Sequence, residues 1–186
     1  MARQLSVNNL VQGNYPSEQV DPLRLMAQLP IRPHHVITTY RADSCHFAVP
    51  LGKHLFDGKV YAMVDDSKAQ KWLQDKAQES RLGNLVVLRK AQKDGVKPES
   101  LDGALIPFVL YGSANKKAFL RKVARLLKQG AWAAVLEWQS KDTLDGPPIE
   151  QRIDEAGIVA LGREAGFRFS ERRDMGSQHF MVVLRK

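Results

Sequence analysis

Cys45 is the only cysteine in the chain. An internal disulfide is therefore impossible, and so is any zinc or iron–sulfur site built from several cysteines. A lone thiol fits a reducing compartment, so a cytoplasmic protein is expected. Long hydrophobic runs are also missing. None approaches the ~18 consecutive apolar residues of a membrane span, and no span is expected. The opening stretch, Met1 to Gln19, is polar and lacks the apolar core of a secretion signal. No internal repeat, low-complexity tract or long linker is present. Acidic side chains are in short supply: 20 face 28 Lys and Arg, for a formal charge of +8. Such an excess favours anionic partners such as nucleic acid, acidic lipid or an acidic protein. The aromatic interleaving that marks single-strand binding platforms is absent.

What the chain does contain is enough apolar material for one domain: 44% of 186 residues are hydrophobic. Residues 1–29 read as an N-terminal arm and a short helix opened by Pro16 and Ser17. Residues 30–186 read as the domain proper. From Pro33 onward, short β-type runs alternate with helical patterns. Strands are expected at His35–Thr39, Lys59–Val64, Leu85–Leu88, Ala104–Leu110, Ala131–Trp138, Phe167–Arg173 and His179–Leu184. Helices are expected from Phe47 to Leu55, with Pro50 near the first turn, and after Ser67 as a cap. Two more are expected from Asn115 to Lys128, closed by Gly130, and from about Glu150 to Glu164. Asp102-Gly103 reads as part of a loop before the fourth strand.

Strands alternating with helices predict an α/β fold. Two closing strands with no helix between them add an antiparallel hairpin. The expectation is a doubly wound, seven-stranded, mostly parallel sheet with helices on both faces. Ligands of such sheets sit at the carboxyl ends of the strands, near the switch in strand order. The segment from Tyr40 to His46 is therefore the expected ligand loop.

Several pieces carry a family resemblance in the right order and spacing. They are Gly58-Lys59-Val60-Tyr61-Ala62, Phe119-Leu120-Arg121-Lys122-Val123, Leu127-Lys128-Gln129-Gly130 and Val135-Leu136-Glu137-Trp138. Gly146-Pro147-Pro148, Gln151-Arg152 and Glu164-Ala165-Gly166-Phe167-Arg168 extend it. From about Leu29 to Lys186 the chain resembles the small class I methyltransferases that use S-adenosylmethionine, of the type 11 kind. The resemblance implies an acidic residue at the end of the first strand followed by a G-x-G-x-G turn, because glycines let the backbone approach the cofactor. Here Thr39 stands at the acidic position, and Arg41, Asp43 and Cys45 stand at the three glycine positions. Val64 occupies the place of the ribose-binding acid, with Asp65 and Asp66 directly after it. A one-residue bulge would bring Asp65 into that role. Arg89-Lys90 replace the acidic residue expected near the adenine.

These departures imply a protein that keeps the fold, holds no cofactor, and serves as a binding or scaffolding partner of an anionic macromolecule or a protein subunit. The alternative is an active S-adenosylmethionine-dependent methyltransferase with an atypical cofactor loop. No catalytic residue is assigned. Tyr111, Glu137 and Trp138 are expected to face whatever cleft remains, and Arg41 with Arg89 offers an anion a second possible home. Lys117, Arg121, Arg125 and Lys128 form a basic stripe able to track phosphates, or simply a solvated face. Cys45 beside Arg41 and His46 has the makings of a reactive thiol, although a small buried cysteine is the commoner case. Asp43, Ser44 and His46 supply hydrolase ingredients without the geometry of a triad. His34, His35, His46 and His54 do not match the spacing of helical metal ligands, so no metal is expected.

Overall fold

Why the sheet forms where it does follows from burial on both faces. Ala131 to Trp138 is buried throughout, as a central strand covered on both sides must be. The computed structural model describes residues 20–41, 45–89, 95–143 and 145–186. The strands are β1 (Val36–Thr39), β2 (Lys59–Val64), β3 (Leu85–Arg89), β4 (Leu101–Pro107), β5 (Leu127–Trp138), β6 (Arg168–Asp174) and β7 (His179–Arg185). Their order in the sheet is β3-β2-β1-β4-β5-β7-β6. The first five run parallel, and β7 runs antiparallel to both β5 and β6. This is the seven-stranded, doubly wound arrangement expected from the sequence. The strand order reverses between β1 and β4, which places the switch point there.

Five helices cover the sheet: α1 (Pro22–Ala27), α2 (Cys45–His54), α3 (Ser67–Glu79), α4 (Lys116–Leu126) and α5 (Glu155–Glu164). One core gathers Leu25, Leu51 and Leu73 of α1–α3 against Val60, Ala62 and Trp132. The other gathers Leu120, Val123 and Ile158 of α4 and α5 against Ile106, Val135 and Val182. Val20, Leu25, Met26 and Leu29 lie in the first core, so the short N-terminal helix packs with the domain it precedes. None of the described helices is long and apolar enough to cross a membrane.

Several boundaries differ from expectation, each for a local reason. Pro16 and Ser17 lie outside the described residues. The described helix opens at Pro22, where Asp21 accepts from the amides of Leu23 and Arg24 and proline sits at a first-turn position that lacks a donor anyway. α2 starts at Cys45 rather than Phe47, which leaves Pro50 inside the helix. Asp66, not Ser67, caps α3, its carboxylate accepting from Lys68 and Ala69.

β4 begins at Leu101, so Asp102-Gly103 belongs to a strand. Glycine is required there by packing: a Cβ on Gly103 would stand 2.1 Å from the Trp132 ring. The strand ends at Pro107 instead of Leu110 because Phe108 takes a left-handed backbone, φ 53°. Gly130 does not close α4. The helix ends at Leu126, Leu127 is already extended, and Gly130 (φ 78°) lies within β5. Lys128 is therefore a strand residue, outside the helical stripe. Before α5, Ile149–Gln151 makes a single 3-10 turn, and the helix waits for its cap, Asp154, which accepts from Gly157.

Candidate functional site

The switch point puts the carboxyl ends of β1 and β4 side by side, and in a doubly wound sheet the chain leaving such strands supplies the lips of the ligand crevice. Thr39 ends β1 almost fully buried, paired with Ala62 on one side and Leu105 on the other. Arg41 follows with a left-handed backbone, φ 50°. Its guanidinium crosses the crevice. Nη1 donates to the Phe108 carbonyl at 2.6 Å and lies 3.2 Å from the Tyr111 hydroxyl. The guanidinium carbon also stands 5.7 Å from the Tyr111 ring centre, within cation–π range. The two lips are thus tied together by one side chain.

The far lip is shaped from beneath by Glu137, which closes β5 and is about 1% exposed. Its Oε1 accepts from the amides of Leu110 at 2.7 Å and Tyr111 at 3.3 Å. Its Oε2 is buried and has no hydrogen-bond partner among the described residues. Burial pushes the carboxyl up to about 8, against which the two amides and the nearby charges of Arg41 and Lys116 pull only partly. Glu137 therefore holds the loop after β4 through two amide bonds, with its carboxyl displaced upward by burial.

On the opposite face of the sheet, Trp138 pairs in register with His179. Their rings are 4.4 Å apart, with Phe108 against both. Among the described residues Trp138 Nε1 and His179 Nε2 are buried without hydrogen-bond partners, and burial lowers the His179 imidazole to about 4. Arg152 sits 5.6 Å from the Trp138 ring centre. It donates to the carbonyls of Gln139, Lys141, Asp145 and Pro147. One guanidinium thus clasps the loop that follows β5 over the tryptophan.

The structure brings Arg41, Tyr111 and Glu137 together beyond Thr39 at the end of β1, and Tyr111 packs against the core cluster that also holds Trp138. Val64, at the end of β2, points wholly into the core. Asp65 follows it exposed, and Asp66 is engaged as the α3 cap. Arg89 ends β3 in register with Val64. Asp43, Ser44 and Lys90 lie outside the described residues. Cys45 opens α2 half-buried, packed against the α1–α3 core. His46 Nε2 lies 2.7 Å from the Val20 carbonyl, and His34 and His35 stack edge-on with each other. Among the described residues no three His, Cys, Asp or Glu side chains gather as metal ligands.

Of the basic stripe, Lys117 pairs with Glu164 and Lys128 with Asp102. Arg121 Nε donates to the Glu164 carbonyl, and Arg125 is exposed. Sequence reasoning missed Phe108, His179 and Arg152. Two had a readable signal: Arg152 lies in one of the pieces that carry the resemblance, and His179 faces Trp138 if the last two long strands pair.

No family model matches the chain, and no curated protein matches it in sequence. Solved structures do. An S-adenosylmethionine-dependent methyltransferase from Aquifex aeolicus is similar with a TM-score of 0.88 at 20% identity, over 98% of this chain and 99% of that one. TYW2 of M. jannaschii in complex with S-adenosylmethionine gives 0.66 at 18% identity, over 94% and 78%. The [4+2]-cyclase SpnF gives 0.76 at 13% identity, over 89% and 80%. The chain has the class I methyltransferase fold. At these identities the likeness is one of architecture, and a cyclase among the neighbours shows that the fold carries more than one chemistry.

Proposed function

We propose that this methyltransferase-fold protein no longer takes S-adenosylmethionine and acts as a non-catalytic binding or scaffolding protein. The observation that carries this reading is Arg41. In a doubly wound sheet the ligand enters between the lips at the switch point, and here a guanidinium joins those lips. A sulfonium cofactor would meet a side chain in its way and a fixed positive charge of the same sign. Buried Val64 and the capping role of Asp66 leave one nearby carboxylate, Asp65, for the ribose. The residues at the crevice therefore do not fit this cofactor.

The test is turnover. Purified protein given methyl-labelled S-adenosylmethionine and a broad set of acceptors should form no S-adenosylhomocysteine above background. Catalytic formation of that product overturns the proposal.

A second reading, an active methyltransferase with a rebuilt loop, is favoured by Asp65, which stands exposed immediately after β2. The full-length likeness to the Aquifex aeolicus enzyme also supports it. Asp65→Asn separates the two readings. It should abolish cofactor binding under the second and have no binding to abolish under the first.

A further inference from the structure

Between Asp102 and Glu137 the chain contains no Asp or Glu, yet it carries Lys116, Lys117, Arg121, Lys122, Arg125 and Lys128. All but Lys128 lie on α4. Leu120, Val123 and Ala124 bury the helix's inner face, so the charges spread over its outer crest. Arg121, Lys122 and Arg125 are exposed. Among the described residues, no acidic side chain pairs with Lys122 or Arg125. α5 lies alongside, and its last turn adds exposed Arg163. Glu164, the acid that follows it, is already engaged by Lys117.

The helix on the other face shows what a neutral surface of this protein looks like. On α3 Lys71 pairs with Asp75 and Lys76 with Glu79. The charge excess is local to the α4 side.

We propose that the outer crest of α4, with Arg163 of α5, is a docking surface for the phosphate backbone of a double-helical nucleic acid. Lys117, Arg121 and Arg125 recur every fourth residue, a step of about 6 Å along the helix, so the cations form a line, in which Lys117 is paired with Glu164 and Arg121 and Arg125 face outward exposed. A bilayer is a poorer occupant. Helices that lie on membranes insert Trp, Phe or Leu, and the apolar face of α4 is already buried in the sheet. A single strand is poorer too, because stacking platforms need exposed aromatic rings, and this crest presents none. What remains is charge complementarity to a duplex backbone, without base readout. This gives the binding-protein reading a partner class, and its test is independent of the crevice.

The experiment is fluorescence anisotropy with a labelled DNA duplex of mixed sequence, between about 50 and 200 mM salt. Binding should weaken linearly on a log–log plot. Replacing Arg121, Lys122 and Arg125 together by alanine should weaken binding and lower the slope by ~0.9 for each phosphate that is no longer neutralised. The charge-preserving double variant Arg121→Lys with Arg125→Lys should keep the slope, which separates removal of charge from a failure to fold. Lys68→Ala with Lys71→Ala on α3 should change neither quantity. The proposal is overturned if the duplex does not bind at low salt, or if the α3 variant loses as much as the α4 variant. It is also overturned if anionic vesicles capture the protein while the duplex does not.

Discussion

The carboxyl ends of β1 and β2 differ sharply from those of β5 and its partner β7. On the first side Arg41 is bonded across the crevice, Asp66 caps α3 and Val64 is buried in the core, while the Tyr40 hydroxyl, just past β1, is buried without a partner among the described residues. On the second side, Glu137 Oε2, Trp138 Nε1 and His179 Nε2 are buried without partners among the described residues. Unpaired buried polar atoms destabilise a fold by about 1–3 kcal/mol each. Among the described residues the β5–β7 end thus carries three such atoms and the end of β1 carries one. The second half still tolerates polar atoms that the fold does not need, a pattern associated with sites under functional constraint.

Truncation should sharpen this contrast most. Trp138→Ala is expected to cost about 3–5 kcal/mol in denaturant unfolding, through the cavity beneath Arg152. Val64→Ala, at the end of β2, should cost about 2 kcal/mol. Equal losses at the two positions would break the comparison.

Titration should come next in size. Glu137 is raised from 4.5 to about 8, so the folded state holds the extra proton and stability falls as pH rises through that range. His179 is lowered from 6.5 to about 4, so stability falls as pH drops through that range instead. Well above 6.5 the histidine is neutral in both states, and the decline towards pH 8 belongs to Glu137. Its steepest slope is about 1.4 kcal/mol per pH unit. Glu137→Gln should flatten that decline in pH-dependent unfolding curves. An unchanged slope would mean that Glu137 does not hold the proton.

A smaller effect is expected at the clasp. Arg152→Ala removes the donors that gather the loop after β5, and should cost about 1–3 kcal/mol. Limited proteolysis between Gln139 and Arg152 should accelerate, with α3 unaffected. Arg41→Gly should alter global stability least, since glycine suits the left-handed backbone while the crossing bonds are removed. Amide exchange in the segment from Phe108 to Ser113 should nevertheless rise about tenfold. No change there would mean that Arg41 does not hold the lips.

Much of this architecture was legible because hydrophobic periodicity and turn residues speak for local structure. The alternation of strands with helices and the terminal hairpin are enough to define the sheet. Boundaries failed where tertiary packing overrides local signals. Gly103 looks like a turn residue but is a glycine because Trp132 lies over it, and Gly130 looks like a helix cap but sits in a strand. At the site, the replacements at Thr39, Arg41 and Val64 could be read by position. The reach of Arg41 to Phe108 could not, since it depends on a left-handed backbone at both residues. The unpaired atoms of Trp138 and His179 are likewise invisible until β5 and β7 are in register.

The most direct measurement is calorimetric titration of the folded, purified protein with S-adenosylmethionine and S-adenosylhomocysteine. With Arg41 joining the two lips, no binding heat is expected even at millimolar ligand. Saturable binding in the micromolar range would contradict the closed crevice and establish that the loop after β1 has been rebuilt around the cofactor.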